Sequence, residues 1–417
     1  MTDRARGLCN AGSFDKPTAT TEPRCSMEDA FYQTIVHPIS KDLPELSFRK
    51  VDASWSSERV ATARRLIAAY KAAMNQESSI KTITDEDLWS VLIRENLGDL
   101  LDLIQRDDAE QLSHYLANFG REYTWFGGIT TGVDGYTHWD RDDDTVAYGY
   151  YDKLICLAEA LAVLPIENPE AGAQGNWGKN ALLGPFEITR KIEEKLGIVI
   201  VPPTGCTFVA GLDVGSGPLH YRHINSLYLA NRIRELSLPG DRICEFGGGL
   251  GIGAYYLNRM GWKSVTIFDL PIVNLLAGHF LINALGDEAV CLEGENERND
   301  AIRLRANWNC VGEEDGAFSL TANQDSFPEI NRRMLDIYVK EIGRTTQGYF
   351  LSINHETFAH AKVSTILSDN PGFQSVYRSP YWLRRGYVEE LFRIAPVPHV
   401  RASFSFMNKF RGRRRVR

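Results

Sequence analysis

The chain has 417 residues, of which 43% are apolar and 24% are charged, and its formal net charge is -8 at pH 7. This composition is typical of a folded globular protein and excludes a fibrous or wholly disordered chain. The negative charge argues against nucleic-acid binding, and we interpret the six basic residues within 409–417 as a solvated terminus.

The seven cysteines are scattered along the chain and form no CxxC pair. This spacing predicts neither a zinc site nor a disulfide framework, and we predict no metal. The first 26 residues lack the apolar segment of a signal peptide, and no run of about 18 apolar residues occurs anywhere in the chain. We therefore expect a cytoplasmic protein with no membrane partner.

The first part of the chain is predicted to be a disordered leader followed by a helical module. Residues 1–26 are rich in Thr, Pro, Gly and Ser without periodicity. Apolar residues recur at helical spacing over 57–119, whereas 120–184 is rich in glycine and aromatic residues and holds one clear helix over 152–164. We predict that 27–184 is a helical and lid module that contributes to substrate binding, with the aspartates of 140–144 in a solvated loop.

The second part of the chain, residues 185–417, is predicted to be the catalytic domain. From about Arg242, short apolar strands alternate with amphipathic helices, which predicts an α/β fold with a doubly wound, mostly parallel sheet of seven strands. A ligand of such a sheet binds at the carboxyl ends of the strands, around a topological switch point. The predicted strands are residues 242–247, 264–270, 289–294, 317–323, 349–354, 373–379 and 400–406.

A glycine-rich loop, EFGGGLGIG over 245–253, follows the first of these strands and precedes a helix. A side chain is absent where a ligand must approach the backbone closely, at Gly247, Gly248, Gly249 and Gly251. The strict GxGxxG pattern of dinucleotide-binding folds fails, but Gly249, Gly251 and Ala254 fit the looser GxGxxA form. The glycines alone leave two cofactors open.

Two acidic residues discriminate between these cofactors. Glu245 immediately precedes the loop, where a carboxylate can balance the cationic amino group of a methionine moiety and would repel a pyrophosphate. Asp269 ends the second strand, next to Leu270 and 22 positions after Gly247, where it can accept hydrogen bonds from both ribose hydroxyls of either cofactor. The pattern favours S-adenosylmethionine over NAD. Alternatively, Glu245 faces solvent and Asp269 caps the helix that begins at Pro271.

EFGGGLGIG followed by FDLP resembles the first two motifs of the class I S-adenosylmethionine-dependent methyltransferases, over about 242–410. The segments NQDSFPE (323–329), SINHE (352–356) and SPYWLRRGYVEELF (379–392) are similar to a bacterial family named for sugar O-methylation. The resemblance implies a Rossmann-like catalytic domain that binds S-adenosylmethionine. It also places contacts to the methionine end of the cofactor at Asn323.

Methyl transfer to a sugar hydroxyl needs a general base near the acceptor oxygen. Our first candidate is His355, which follows the fifth strand and titrates near neutral pH. Asp325 and Glu356 are the other candidate bases. Glu329 is predicted to bind substrate, although a carboxylate beside Pro328 also suits the first turn of a helix.

Upstream of the first strand, Tyr221 and His223 precede the helix that opens the catalytic domain and could close over the cavity. We assign Tyr221 to the cofactor, and we assign His223 and Trp382 to the substrate. Surface capping by Tyr221 and His223 is the alternative.

The leading hypothesis is therefore an O-methyltransferase acting on a hydroxyl of a sugar or a glycosylated natural product. A phenol or a carboxylate of a secondary metabolite is the alternative acceptor. An NAD-dependent oxidoreductase and a non-catalytic binding module are the remaining hypotheses. The expected partner is a small hydroxylated molecule, and the helical module suits either a homodimer or a cover over the active site.

Overall fold

The computed structural model describes residues 35–37, 42–50, 57–85, 88–119, 142–168, 170, 175, 177–203, 210–357, 362–368 and 370–395. Contacts divide the chain into two units, residues 1–36 and 37–417. Everything below concerns the second unit. The predicted leader (1–26) and the predicted last strand (400–406) lie outside the described residues.

The helices are numbered in chain order through the described residues. They are α1 (Ser57–Met74), α2 (Lys81–Asp85), α3 (Leu88–Asn96), α4 (Gly98–Gln105), α5 (Ala109–Ala117), α6 (Asp143–Ala160), α7 (Pro185–Leu196), α8 (Tyr221–Leu236), α9 (Ile252–Arg259), α10 (Pro271–Leu285), α11 (Arg332–Thr345) and α12 (Val363–Ser368). Short 3-10 helices cover Asn180–Leu182, Asp287–Ala289, Asn307–Gly312 and Phe327–Glu329. None of the described helices is both long enough and apolar enough to cross a membrane.

The strands belong to two sheets. They are β1 (Phe48–Lys50), β2 (Ala210–Asp213), β3 (Pro218–Leu219), β4 (Ile243–Phe246), β5 (Val265–Asp269), β6 (Val290–Cys291), β7 (Ile302–Ala306), β8 (Phe318–Gln324), β9 (Thr346–His355), β10 (Phe373–Pro380) and β11 (Tyr387–Ile394). The first three strands form a small antiparallel sheet that the sequence analysis did not predict.

The main sheet has the strand order β10-β11-β9-β8-β4-β5-β7-β6. Its pairs are parallel except for β11, which is antiparallel to both β9 and β10. The prediction of a doubly wound, mostly parallel α/β sheet is confirmed. The order reverses at β4, which has β5 on one side and β8 on the other, so a crevice forms at the carboxyl ends of these three strands.

The described sheet has eight strands instead of the predicted seven, because charged residues hide two of them in the sequence. In β7, the buried Arg303 and Arg305 interrupt the apolar pattern. In β11, Glu389 and Glu390 do the same, although both are buried. Ion pairs compensate these charges: Arg303 with Glu313 at 3.3 Å, for example, and Glu390 with Arg378 at 2.9 Å.

Helix α6 begins at Asp143, nine residues before the predicted start of the helix over 152–164. The Asp142 carboxylate caps it by accepting a hydrogen bond of 2.7 Å from the Thr145 N–H. Asp143 and Asp144 occupy the first turn, where negative charge is favourable against the helix dipole. Residues 142–144 are exposed, as expected, but they cap and begin a helix instead of forming a loop, while residues 140 and 141 lie outside the described part.

The helical structure predicted from residue 57 onward is confirmed by α1, which packs against α10. Arg65 of α1 fixes this contact by donating from Nη2 to Glu295 at 2.8 Å and from Nη1 to Asp287 at 2.9 Å. Deeper in the interface, the fully buried Leu66 approaches Gly278 of α10. The helical segments therefore share one core with the sheet, and the predicted boundary near 184 stays a prediction.

The Leu66–Gly278 contact gives a test of this docking. A Cβ at Gly278 would lie 2.7 Å from Leu66 Cδ2. Gly278→Ala should therefore lower the free energy of unfolding by about 1 kcal/mol, because overpacking outweighs the gain in helix propensity. In the Leu66→Ala background, where the overpacked side chain is absent, Gly278→Ala should instead stabilise the protein. Urea denaturation of wild type, the two single variants and the double variant would measure the difference as a coupling energy. Strict additivity would show that α1 does not pack on α10 in solution.

Candidate active site

A cavity of about 1160 Å³, including its open mouth, lies at the carboxyl ends of β4, β5 and β8. This is the switch point of the sheet, where ligands of doubly wound folds bind. Beneath it, an aromatic core packs against β4 and β5, with ring centroids 5.3 Å apart for Phe246 and Phe268 and 4.8 Å apart for Phe246 and Tyr338. The strand ends that form the floor are thus held by the core.

The glycine-rich loop between β4 and α9 forms one wall. Gly247, Gly248 and Gly249 line the cavity, as the sequence predicts for ligand approach. Gly247 has a φ of 69°, and a Cβ there would lie 2.2 Å from Ser326 Oγ. Gly251 differs because it is the left-handed N-cap of α9, packed on Leu281, and it does not line the cavity.

The Glu245 side chain lies beneath this loop. It is 5% exposed, so the alternative that it faces solvent is wrong. A Cβ at Gly248 or at Gly253 would lie 3.2 Å from its Oε2, so these glycines leave room for the carboxylate. No hydrogen bond joins that carboxylate to any described residue, and burial together with the charge of Asp269 raises the pKa of Glu245 to about 7.

The Asp269 side chain holds the loop rather than capping α10. Its Oδ2 accepts a hydrogen bond of 2.8 Å from the Gly249 N–H, and its Oδ1 accepts one of 2.7 Å from the Leu270 N–H. Helix α10 has Leu270 as its N-cap, without a side-chain hydrogen bond. Burial raises the pKa of Asp269 to about 7 despite these donors. Each oxygen keeps a lone pair for a ligand hydroxyl.

On the opposite wall, Asp325 directly follows β8 and has a left-handed backbone, at a φ of 59°. Its carboxylate accepts hydrogen bonds from Arg384 Nη1 at 2.6 Å and from the Tyr387 hydroxyl at 2.5 Å. Burial would raise the pKa of Asp325, but Arg384 and Arg222 outweigh it and hold the pKa below its usual range. Asp325 is therefore a poor proton acceptor, contrary to its predicted role as a base.

Glu329 lines the same wall from the single turn Phe327–Glu329. Its Oε2 accepts a hydrogen bond of 2.7 Å from Trp89 Nε1 of α3. Burial, followed by the charge of Asp325, raises the pKa of Glu329 to about 7. A carboxylate with this pKa is suited to accept a proton near neutral pH.

Two predicted catalytic residues lie outside the cavity lining. His355 pairs across the sheet with Tyr387, whose ring centroid is 5.4 Å from that of the imidazole, and Tyr387 faces the cavity instead. Burial and Arg384 lower the pKa of His355. Glu356 bonds Arg378 at 2.7 Å on the outer side of the sheet.

Asn323 and His223 also lie outside the cavity lining. The buried Asn323 ties strand ends together, since its Nδ2 donates to the Phe246 carbonyl at 2.7 Å and its Oδ1 accepts from Asn354 Nδ2 at 2.7 Å. His223 is fully buried with its Nδ1 2.8 Å from the Tyr256 hydroxyl, and burial lowers its pKa to about 3. Both are structural contacts.

Tyr221 and Trp382 are not among the residues that line the cavity. Tyr221 lies in the first turn of α8, not before the helix as predicted, with its ring 5.2 Å from the Arg222 guanidinium carbon. Trp382 donates from Nε1 to Glu159 Oε2 at 3.0 Å. The ligand roles predicted for these residues stay predictions, and we do not propose them.

Among the lining residues that were not predicted as site residues are Trp89, Arg222, Arg384 and Tyr387. Arg384 and Tyr387 belong to SPYWLRRGYVEELF, a segment that carries the resemblance, and Arg222 lies between the predicted Tyr221 and His223. Their charge and aromatic character were a usable signal. Trp89 lies in an ordinary amphipathic helix, and its sequence context gives no signal.

Away from the cavity, His37, Asp152 and Cys156 form a buried group whose atoms could surround a metal ion. However, His37 Nδ1 lies 2.8 Å from Asp152, and its Nε2 lies 3.0 Å from Glu159. Burial alone would lower the pKa of His37, but hydrogen bonds to Asp152, Cys156 and Glu159 raise it to about 11. A protonated ring donates from both nitrogens and leaves no lone pair for a metal, so the group is a buried ion pair.

No protein-family model and no curated protein matches the sequence. Solved structures match loosely, including a SAM-dependent methyltransferase from Aquifex aeolicus, with 18% identity over 40% of this chain and 88% of that chain and a TM-score of 0.30. Geranyl diphosphate C-methyltransferase from Streptomyces coelicolor A3(2) has 11% identity over 41% and 78%, with a TM-score of 0.31. A protein of the NADB-Rossmann superfamily from Streptococcus agalactiae has 13% identity over 40% and 67%, with a TM-score of 0.30. The proposal below therefore rests on the residues of the cavity.

The buried Glu245 carboxylate makes the stability of the fold depend on pH. Because the folded-state pKa of about 7 exceeds the ordinary 4.5, ionisation opposes folding, and stability falls as pH rises from about 4.5 to 7. Glu245→Gln removes this charge. The free energy of unfolding of the variant minus that of wild type should therefore be larger at pH 8 than at pH 5, by on the order of 1–3 kcal/mol. Urea denaturation at both pH values measures this difference.

The exposed Glu187 of α7 provides the matched control for this experiment. Glu187→Gln should give the same difference from wild type at both pH values. If the stability of Glu245→Gln relative to wild type were also the same at both pH values, Glu245 would be solvated in the folded protein.

Proposed function

We propose that the chain is an S-adenosylmethionine-dependent methyltransferase. The observation that carries the proposal is the buried Glu245 carboxylate, which lines the cavity and has no cation beside it among the described residues. A buried carboxylate without a counter-ion is costly, and a cationic ligand removes that cost. S-adenosylmethionine carries an ammonium and a sulfonium, whereas the pyrophosphate of NAD would be repelled by Glu245.

The residues at this end of the cavity fit the cofactor. Gly247, Gly248 and Gly249 open the loop to the ligand, and the lone pairs of Asp269 suit the two ribose hydroxyls. Leu270 lines the cavity next to Asp269. The resemblance of EFGGGLGIG and FDLP to the first two motifs of class I methyltransferases supports the same assignment.

When bound, the cofactor would supply a methyl group attached to a positively charged sulfur, and in-line displacement would break the bond between that carbon and the sulfur, with S-adenosylhomocysteine as the leaving group. The chain has to position the acceptor oxygen and take up its proton. Glu329 is our candidate for this base because it lines the cavity and its pKa is raised to about 7. The carboxylate of Glu329 takes the hydroxyl proton while the oxygen lone pair forms the new bond to the methyl carbon.

The acceptor that we propose is a hydroxyl of a sugar or of a glycosylated natural product. Polar side chains that suit a hydroxyl-rich ligand line the cavity, among them Asn225, Ser226 and Gln324. A phenolic acceptor is the second candidate, because the rings of Trp89 and Tyr381 also line the cavity and could stack on an aromatic ligand.

Calorimetry of the full chain tests the cofactor. We expect S-adenosylhomocysteine to bind with a micromolar Kd and NAD not to bind. Asp269→Ala should weaken binding at least tenfold, because the ribose hydroxyls and the loop lose their acceptor. Asp287→Ala, at an exposed acid away from the cavity, should leave the Kd unchanged. Binding of NAD without S-adenosylhomocysteine would refute the proposal.

Activity measurements test the base, using an acceptor found by screening sugars and phenols for release of S-adenosylhomocysteine. Glu329→Gln should lower kcat by about 10²–10⁴ while the cofactor Kd stays within about threefold. Since the base must be ionised, wild-type kcat should rise with pH through about 7, and the variant should lose this dependence. His355→Ala serves as the control and should keep its rate. An unchanged kcat in Glu329→Gln together with a strongly lowered kcat in His355→Ala would identify His355 as the base instead.

A further inference from the structure

The end of the cavity opposite Glu245 is basic. Arg222, from the first turn of α8, and Arg384, from the connection between β10 and β11, both line it. Their side chains are 19% and 34% exposed. Arginines so far withdrawn from water in a cavity wall are expected to have anionic partners.

The described residues supply few hydrogen-bond acceptors for these two guanidinium groups. Asp325 is the carboxylate that pairs with both, at 2.6 Å from Arg384 Nη1 and 3.9 Å from Arg222 Nη1. The Arg222 side chain makes no hydrogen bond to a described residue, and its Nε is buried without a partner. Glu329 is the other acid on this wall, and its carboxylate accepts its hydrogen bond from Trp89 Nε1 of α3. Most of the N–H donors of the two guanidinium groups are therefore left for a ligand.

The two guanidinium groups are also held in place. The Arg384 carbon Cζ lies 4.0 Å from the centroid of the Tyr387 ring, and that of Arg222 lies 5.2 Å from the Tyr221 ring. Such cation–π contacts fix the plane of each guanidinium before a ligand arrives. Asp325 reaches Arg384 from a left-handed backbone, a conformation that is unfavourable for a residue with a side chain and that recurs at ligand sites.

We propose that Arg222, together with Arg384, binds an anionic group of the methyl acceptor, a carboxylate or a phosphate. The inference rests on the proposed function and narrows its substrate class to acidic hydroxylated molecules such as a sugar acid or a sugar phosphate. A guanidinium suits these groups because its planar fork donates two parallel hydrogen bonds to them.

The carboxylate of the cofactor's methionine moiety is the competing anion. The charged residues around Glu329 and around Glu245 indicate instead that the two arginines bind an anion of the acceptor. The charges of both arginines lower the pKa of Glu329, the proposed base, against the effect of burial, which raises it. The pKa of Glu245 is instead raised by burial and by the charge of Asp269. The arginines therefore lie at the end of the cavity where the acceptor is deprotonated.

Calorimetry of the full chain saturated with S-adenosylhomocysteine tests the proposal, with glucuronate, glucose 6-phosphate, inorganic phosphate and neutral glucose as probes at constant ionic strength. We expect at least one anionic probe to bind at least tenfold more tightly than glucose. Arg222→Met should abolish this preference, and Arg222→Lys should keep part of it. Arg190→Met removes an exposed arginine of α7 and should change nothing.

The cofactor Kd separates the two sources of the anion. If Arg222 binds the acceptor, S-adenosylhomocysteine should bind Arg222→Met with a Kd within about threefold of wild type. A tenfold weaker Kd would assign Arg222 to the methionine carboxylate and overturn the proposal. So would equal binding of glucose and the anionic probes, or no binding of any anion at about 50 mM.

Failure of the proposed function gives a different result. If wild type does not bind S-adenosylhomocysteine, the cofactor assignment fails. Titration of the ligand-free chain with phosphate and glucuronate still decides whether Arg222 holds an anion. Tight anion binding that Arg222→Met abolishes would then support an anion site in a protein with another activity.

Discussion

The burial of Glu245 is the constraint on which the cavity depends. Its carboxylate lies under a loop whose glycines leave the space that it occupies, and no hydrogen bond from a described residue reaches it. Folding therefore sustains an uncompensated charge at the switch point of the sheet. The ion pairs of Arg303 and Arg305 in β7 and of Arg65 on α1 show that charges elsewhere in the fold do have partners.

Much of the fold and the placing of Glu245, the loop glycines and Asp269 around one cavity could be predicted from the sequence, because local patterns encode them. The helix over 57–74 has a regular apolar period. The glycine-rich loop, Glu245 and Asp269 can be recognised because they lie at the ends of two consecutive apolar strands. Such features need no knowledge of distant contacts.

The end of the cavity that Arg384 and Tyr387 line could not be predicted in the same way, because it depends on how β11 pairs. Buried glutamates disguise this strand, and their partners are distant in the sequence: Glu389 bonds Arg232 Nε of α8 at 2.9 Å. Without β11, His355 looks like the end of an unobstructed strand. With β11 paired, Tyr387 takes the cavity side and the loop before it brings in Arg384. One missed strand thus explains both the misplaced histidine and the missed arginine.

The hydrogen bond between Trp89 and Glu329 joins the helical segment to the catalytic wall. Burial is the largest cause of the raised pKa of Glu329, and Trp89 forms part of the wall around that carboxylate. If α3 moved away to release product, water would reach Glu329 and its affinity for a proton would fall. The proton gained in one turnover would then pass to solvent as the product departs, so that one displacement would both empty the cavity and restore the ionised carboxylate.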